Sequence, residues 1–599
     1  MVSYLLQETM LLFTLVPIFL CSVASAASLH PCRRDINEST PACRAIPGSA
    51  SWPSPDLWES LNKTVGGRLL MPAPPGAVCH PGNPAYSALG CAALYWSSEF
   101  THSEDPVSVE WNNWTNDTCI PIPSLPCTGY GYPVYVINAT TPQHVKAGVD
   151  FARANNVRLI VKNSGHDYVG RSVAPHALSI WVHHMKGTEL HETSFSPAGC
   201  SYVTIPGPAL TALAGIQMLE AYEFTGKSGH VVVGGNGRTV ALGGYITGGG
   251  HSILAPQYGL AADQVLEMDI VSPQGEILTL NECQNTDLFW AMRGGGGSTF
   301  GVMTSVTMKI FPSPEIVGMT FWIAASADNA NAFDMIAYVV SQFPHLADAG
   351  ISGYPIIFNK VKNFIDGSDT VIKGIIGKII ITKTNDASIL AGKMESIMNH
   401  VNATWPGSMF GHYNTTYYPN FQAWYAENYD GSPTGYDNIM ASRLLDRAAL
   451  TDDMLSLKTA LAKFSAIGQA TVYIVSGKAV HEAQPRGGGN AVLPAWRRAY
   501  VHATSSIAYP SNNDTDVAIA DYFSGFLSAA IRELAPDTGA YVNEASKFES
   551  DWQQTFWGDH YERLLSIKRS VDPTDVFWCT PCVGSERWEE KAGGRLCRV

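Results

Sequence analysis

The spacing of apolar positions changes period along the chain, and each change marks an element. "PVYVIN", residues 133–138, carries strand patterning; Thr141 and Pro142 then supply a cap and a first-turn proline, and Val145, Val149 and Ala152 recur at i, i+4 and i+7. The helix so defined ends at Asn155-Asn156, and "VRLIV" follows as a second strand. Its exit is the loop "KNSGHDYVGRS", Lys162 to Ser172, which therefore sits at the carboxyl end of a strand in an α/β unit, where ligands commonly bind. Further on, "QVLEMDIV", the turn "SPQG" and "EILTL" predict a β-hairpin, "TDLFWAM" a short helix, and the alternation from Val302 to Ile310 another strand.

Beyond Pro312 the character changes. Helical windows at Ser388–His400 and Asp453–Phe464 lie among the strand-like "KIIIT" and "ATVYIV", which marks a second domain over residues 318–540, after a first over 131–317. Residues 541–599 hold a helical "WGDHYERLLSIKRSV" stopped at Asp572-Pro573. Residues 27–130 are rich in Cys, Pro, Ser, Gly and Trp with weak periodicity, and predict a loop-dominated segment tied by disulfides.

Composition narrows the class. At 599 residues the chain exceeds one ordinary domain, and 46% hydrophobic against 15% charged residues describes a globular protein rather than a disordered one. The formal charge of −14 argues against a nucleic-acid partner, which requires clustered Lys and Arg. Residues 1–26 carry an apolar run from Met10 followed by Ala24-Ser25-Ala26, the small-x-small pattern of a secretory cleavage site, with Glu8 and no Lys or Arg before it. The run is shorter than the ~20 residues a membrane span needs. The expectation is a secreted chain, free of the membrane once its signal peptide is removed. Removing Cys21 with that signal leaves 11 cysteines, an odd number, which predicts several disulfides and one free thiol. Asn-x-Ser/Thr sequons at Asn37, Asn62, Asn113, Asn116, Asn138, Asn402, Asn414 and Asn513 agree with export and glycosylation.

Two glycine concentrations carry the candidate chemistry: the loop at 162–172, and "GGNGRTVALGGYITGGGHS", Gly234 to Ser252. Glycine lets the backbone approach a ligand, and exposed N–H groups of such loops stabilise phosphate oxygens. Two such loops in one α/β domain suggest a phosphate-bearing ligand. Neither opens a helix as G-x-G-x-x-G within a short βαβ unit, and no Walker-type loop is present, so a Rossmann or P-loop site is disfavoured.

These segments, with "LSIWVHHMKG", "GGYITGGGHSILAPQYGLAADQVLEMDIVSPQGEILTL", "DLFWAMRGGGGSTFGV", "YVNEAS" and "FWGDHYERLLSIKRSVDPTDVFW", resemble the berberine-bridge-enzyme-like branch of the FAD-linked oxidases, of the vanillyl-alcohol-oxidase fold. The resemblance implies an α+β protein: a two-part FAD-binding domain of the PCMH type, completed by the C-terminal segment, with an inserted α/β substrate domain. It implies FAD bonded at its 8α position to His166, with Asn163, Ser164, Gly165, Asp167 and Ser172 along the diphosphate. Gly243, Gly244, Gly248, Gly249, Gly250 and His251 would complete the pocket, and Gly301-Val302 would approach the adenosine part. Relatives with a second, cysteinyl link have Cys two residues before the Thr-Val of "GRTV"; Gly237 stands there, so a single histidyl bond is expected. Val240 matches the position where Val is associated with oxidases, implying dioxygen as acceptor.

The base is open at this level. Plant relatives close "Y-x-N-Y" with a tyrosine; Tyr541-Val542-Asn543-Glu544 puts Glu544 there, either as the base or as a structural acid beneath the flavin, with Tyr541 and Tyr168 as phenolic alternatives. The implied reaction is two-electron oxidation of an alcohol, amine or C–H position by a monomer, with small-molecule substrate and O2 as partners. The alternatives are a tailoring enzyme of the same fold, or a silent secreted flavin- or carbohydrate-binding protein. Cys579-Thr-Pro-Cys582 follows no central strand and predicts a structural disulfide, with Cys597 as a candidate partner, rather than redox chemistry. His183 and His184, on a strand, would point to opposite faces, so no shared metal is expected. The aromatic-rich "HYNTTYYPNFQAWYAENY" reads as core or surface, or as the lining of a carbohydrate or phenolic site.

Overall fold

The computed structural model describes residues 42–599, apart from 468, 510, 512 and 513. The predicted helix spans Pro142–Ala154: the Thr141 hydroxyl accepts from the His144 N–H, Pro142 occupies the first turn, and Val145, Val149 and Ala152 are buried. It covers a small sheet in the order Leu69–Leu70, Tyr135–Asn138, Ala177–Trp181, Arg158–Lys162, whose last three strands are parallel. The second sheet is antiparallel, in the order Ile277–Asn281, Val265–Val271, Val302–Pro312, Ala209–Leu213, Thr188–His191, with His230–Val232 pairing the far end of Val302–Pro312. The strand from Val302 is buried at nearly every position because both its faces and both its edges are covered. One continuous core joins this region to the C-terminal helix Tyr561–Val571 through Leu564, Leu565 and Ile567.

The inserted region mixes helices and strands as expected, and its eight-stranded sheet is antiparallel throughout. The helices Ala332–Ser341, Ala387–Thr404 and Met454–Phe464 bury Met335, Leu390 and Leu461 against Phe321, Ile375 and Val472 of that sheet. The aromatic-rich segment divides in two. Phe410–Tyr418 forms an edge strand, and the helix Phe421–Asn428 buries Phe421, Trp424 and Tyr425 in the first core, where Tyr222 meets Tyr425 at 4.6 Å.

All ten cysteines among the described residues are paired: Cys43–Cys597, Cys79–Cys91, Cys119–Cys127, Cys200–Cys283 and Cys579–Cys582. The Cys-x-x-Cys pair thus closes on itself, and Cys597 is taken by Cys43 at the other end of the chain. The expected free thiol is not found among the described residues; Cys32, the signal peptide and the sequons at Asn37 and Asn513 lie outside them. Among the described residues no helix is long and apolar enough to cross a membrane. His183 and His184 lie in a turn beyond the strand Ala177–Trp181, closed by Met185 N–H to Val182 O at 2.9 Å. The opposite-face expectation for them fails, because strand alternation stops before they are reached.

Candidate active site

The strand Arg158–Lys162 delivers its exit loop into a cleft of about 1090 Å³, open mouth included. From this loop Asn163, Ser164, Gly165, His166, Asp167, Tyr168 and Ser172 line the cleft. Val240, Gly243 and Gly244 line it from the second loop, Gly301 and Val302 from the start of the long strand, and Tyr541, Asn543 and Glu544 from the C-terminal segment. Gly165 has φ +93°, and a Cβ there would lie 3.0 Å from Ser108 O, so glycine is needed where the loop crosses the N-terminal segment.

Asp167 lines the cleft, and its charge is engaged within its own loop. Its carboxylate closes the loop on itself, taking the Arg171 backbone N–H, the Nε–H at 3.0 Å and the Nη2–H at 2.5 Å. Arg171 Nη2 also donates to Asn543 Oδ1 at 2.8 Å. The guanidinium, rather than the acid, is therefore offered to the cleft: Arg171 Nη1 and Ser172 Oγ are buried on its wall without protein partners. Such groups suit phosphate oxygens. Arg171 escaped the sequence reading, although Asp-x-x-x-Arg in a loop is the spacing of a local ion pair.

The second loop divides. Gly243 and Gly244 face the cleft, and a Cβ on Gly244 would project into open space. Gly248, Gly249, Gly250 and His251 lie behind that wall and not on it, contrary to expectation. A Cβ on Gly248 would fall 2.2 Å from Asn543 Nδ2, and one on Gly250 2.7 Å from the Ala261 Cβ. Gly248 serves close packing of the helix Leu242–Gly248 against the C-terminal segment, and Gly250 packing of the following turn on Ala261 and Tyr245. Asn543 is fixed by that approach: its Nδ2 donates to Gly244 O at 2.9 Å and to Tyr541 Oη at 3.0 Å.

His166 sits among carboxylates that sequence reasoning missed. Its Nε2 is 2.6 Å from Thr239 Oγ1, and Thr239 in turn donates to Glu99 Oε2 at 3.1 Å, so Nε2 carries the proton and donates to the hydroxyl. Glu110 Oε1 lies 3.0 Å from the same nitrogen. Burial opposes charge on His166, but Glu110 and then Glu99 and Asp430 outweigh it, and the pKa lies above the ordinary value. Gly237 lies beside this group: a Cβ there would be 3.7 Å from the imidazole Cε1 and 3.0 Å from Val240 Cγ2.

Across the cleft Glu544 is clamped between two imidazoles. Its Oε1 accepts from His251 Nε2 and its Oε2 from His502 Nε2, both at 2.9 Å. Burial raises the acid's pKa, yet the two imidazoles overcome it and hold Glu544 well below the usual carboxylate range. Burial lowers His502. The phenols of Tyr541 and Tyr168 are pushed up, by burial first and by the Glu544 charge second, so both stay protonated. Tyr168 stacks on Trp111 at 4.8 Å.

The cleft thus joins unpartnered phosphate donors, a glycine wall and a half-buried histidine on a loop, which is the outline of a flavin site. Residues 133–281 match a family model described as an FAD binding domain, and residues 540–583 one described as berberine and berberine like. The chain is 33% identical over 577 residues to a VAO-type flavoprotein oxidase of Thermothelomyces thermophilus, covering 94% of this chain and 96% of the relative. It is 33% identical over 601 residues to a bifunctional decalin synthase of Penicillium decumbens, covering 96% and 99%. Among solved structures, the VAO-type flavoprotein MtVAO713 from Myceliophthora thermophila superposes with a TM-score of 0.87 at 28% identity, covering 94% of this chain and all of that one. The chain belongs to the berberine-bridge-enzyme-like, VAO-type family of FAD-linked oxidoreductases, with a small-molecule substrate.

Proposed function

We propose that this chain is a secreted oxidase whose FAD is attached by one bond, through His166, and whose proton chemistry is run by Glu544. The observation that carries the reading is Glu544 on the cleft wall, ionised and held by His251 and His502. When bound, FAD supplies the two-electron acceptor for an alcohol, amine or C–H substrate and passes the electrons to O2, giving hydrogen peroxide.

The chain's own residues divide the remaining work. Thr239 holds the proton of the neutral His166 on Nε2, with the Glu110 carboxylate 3.0 Å away favouring it electrostatically, which leaves Nδ1 as the nitrogen with the lone pair and hence the attaching atom. Gly237 stands where relatives have a linking cysteine, and every described cysteine is in a disulfide, which supports a single bond. Of the two carboxylates on the cleft wall, Asp167 is neutralised by Arg171, leaving Glu544 to accept the hydroxyl or amine proton. A carboxylate so strongly stabilised is a weak base, and it takes the proton only as positive charge develops on the substrate. Tyr168 and Tyr541, kept protonated, serve as donors that orient a substrate oxygen or nitrogen.

Export is supported by the disulfides, which persist in oxidising compartments, and by the exposure of the sequon residues Asn116, Asn402 and Asn414. The decalin synthase relative favours a second reading, in which hydride removal sets off ring closure in a secondary metabolite. One assay separates the two. Purified protein is screened against alcohols, reducing sugars and amines for flavin bleaching without air, then for peroxide in air. Bleaching with stoichiometric peroxide and an unrearranged product supports the oxidase. Bleaching without reoxidation by air would discard it, and a cyclised product would favour the tailoring reading.

A further inference from the structure

Outside the cleft, three metal-ligating side chains from two distant segments converge. Glu104 ends the short helix Glu99–Glu104, and His183 and His184 occupy the centre of the turn that follows the strand Ala177–Trp181. One ligand atom from each lies within 4.8 Å of the others. His183 Nε2 is 3.2 Å from Glu104 Oε1, close to the ~3.3 Å that separates two ligands in a tetrahedron with metal bonds of ~2.0 Å.

The surroundings orient the set. His184 Nδ1 lies 2.8 Å from Asn138 Oδ1, an acceptor only, so the proton is on Nδ1 and Nε2 keeps its lone pair. A carbonyl oxygen behind an imidazole is the usual outer partner of a ligating histidine. The His183 side chain is 2% exposed, its ring stacks on Trp181 at 5.4 Å, and its Nδ1 is buried with no hydrogen-bond partner. Glu104, 61% exposed, leaves the set open to solvent on one side. The nearby lysines are engaged elsewhere: Lys186 Nζ on Glu220 Oε2 at 2.6 Å, and Lys162 Nζ on His102 O at 3.2 Å.

We propose that Glu104, His183 and His184 bind a divalent transition-metal ion. Two imidazoles and one carboxylate suit zinc or copper(II), and not calcium or magnesium, which prefer all-oxygen shells. The ion has a structural role. Glu104 and Glu99 are the two ends of one helix, and Glu99 takes the Thr239 hydroxyl that holds His166. The ion therefore pins to the turn the helix that supports the flavin-attaching histidine.

The test uses flavin-loaded protein treated with chelator, dialysed, and titrated with ZnCl2 in a calorimeter, with Co2+ absorbance as a second readout. The expectation is one equivalent bound, with affinity lowered at least ~10-fold in Glu104→Gln and in His184→Ala, two variants that spare the buried His183. Flavin content and far-ultraviolet circular dichroism report that each variant is folded. No saturable uptake by the wild type up to millimolar ion, or uptake unaltered in both variants, would overturn the proposal. So would uptake lost only in Glu544→Gln, which would place the ion among His251, His502 and Glu544.

Discussion

Glu110 Oε1 lies 3.0 Å from His166 Nε2, with Glu110 almost fully buried. An unpaired carboxylate is costly at such depth, and this one acts electrostatically on the imidazole and on the Lys162 ammonium. Glu110→Gln keeps the shape and removes the charge. Attachment of FAD to the apoprotein, followed as flavin absorbance that survives acid precipitation, is expected to slow ~100-fold, the scale of losing a proton acceptor. An unchanged time course would remove Glu110 from the attachment step.

Glu544→Gln is expected to leave flavin bound and to slow its anaerobic reduction by substrate at least ~100-fold. Stopped-flow absorbance measures this directly, and wild-type rates in the variant would dismiss Glu544 as proton acceptor.

The pH dependence has a definite sign. Glu544 is depressed in the folded protein, so it remains charged through the ordinary titration range near ~4.3, and its contribution is lost only as pH falls through the lower folded value. Charged or titratable neighbours on it are His251, His502, Tyr541, Tyr168, Tyr245, Tyr354 and Tyr473. His502→Ala removes one of the two donors, so the acid limb of the reduction rate should move up toward that ordinary range. A limb that stays in place would mean that ionised Glu544 is not required.

Gly248→Ala places a methyl group against the Asn543 amide. Overpacking of this kind costs ~1–3 kcal/mol. Thermal denaturation should show a lowered midpoint, together with slower flavin reduction because Asn543 links Arg171, Tyr541 and Gly244. A variant as stable and as active as wild type would show that the helix can move aside.

What was legible in the sequence was local. The helix Pro142–Ala154 was readable from a cap, a proline and a period, and the hairpin from its turn, although Val271 pairs with Ile277 and not with the Glu276 that directly follows "SPQG". The loop residues Asn163 to Tyr168 and Ser172 and the C-terminal Tyr541, Asn543 and Glu544 were readable through their ordered motifs, and they do meet in one cleft. Glu99 and Glu110 were not. They lie in a segment of weak periodicity, shaped by Cys79–Cys91, Cys119–Cys127 and the burial of Val107 and Val109 against Val136 and Trp181. No local rule places such residues beside His166. His251, Gly248, Gly249 and Gly250 were assigned one layer too far forward, because a glycine needed for close packing and one needed for a ligand look alike in sequence. His502 comes from the strand Ala499–Tyr509 of the inserted domain, and only the tertiary fold brings it to Glu544.

The central claim, a flavin bonded through His166 alone, is tested most directly by acid precipitation of purified wild type and His166→Ala, followed by absorbance of pellet and supernatant. The account predicts yellow wild-type pellets and, in the variant, flavin released entirely to the supernatant. Wild-type flavin found in the supernatant, or variant flavin retained in the pellet, would contradict it.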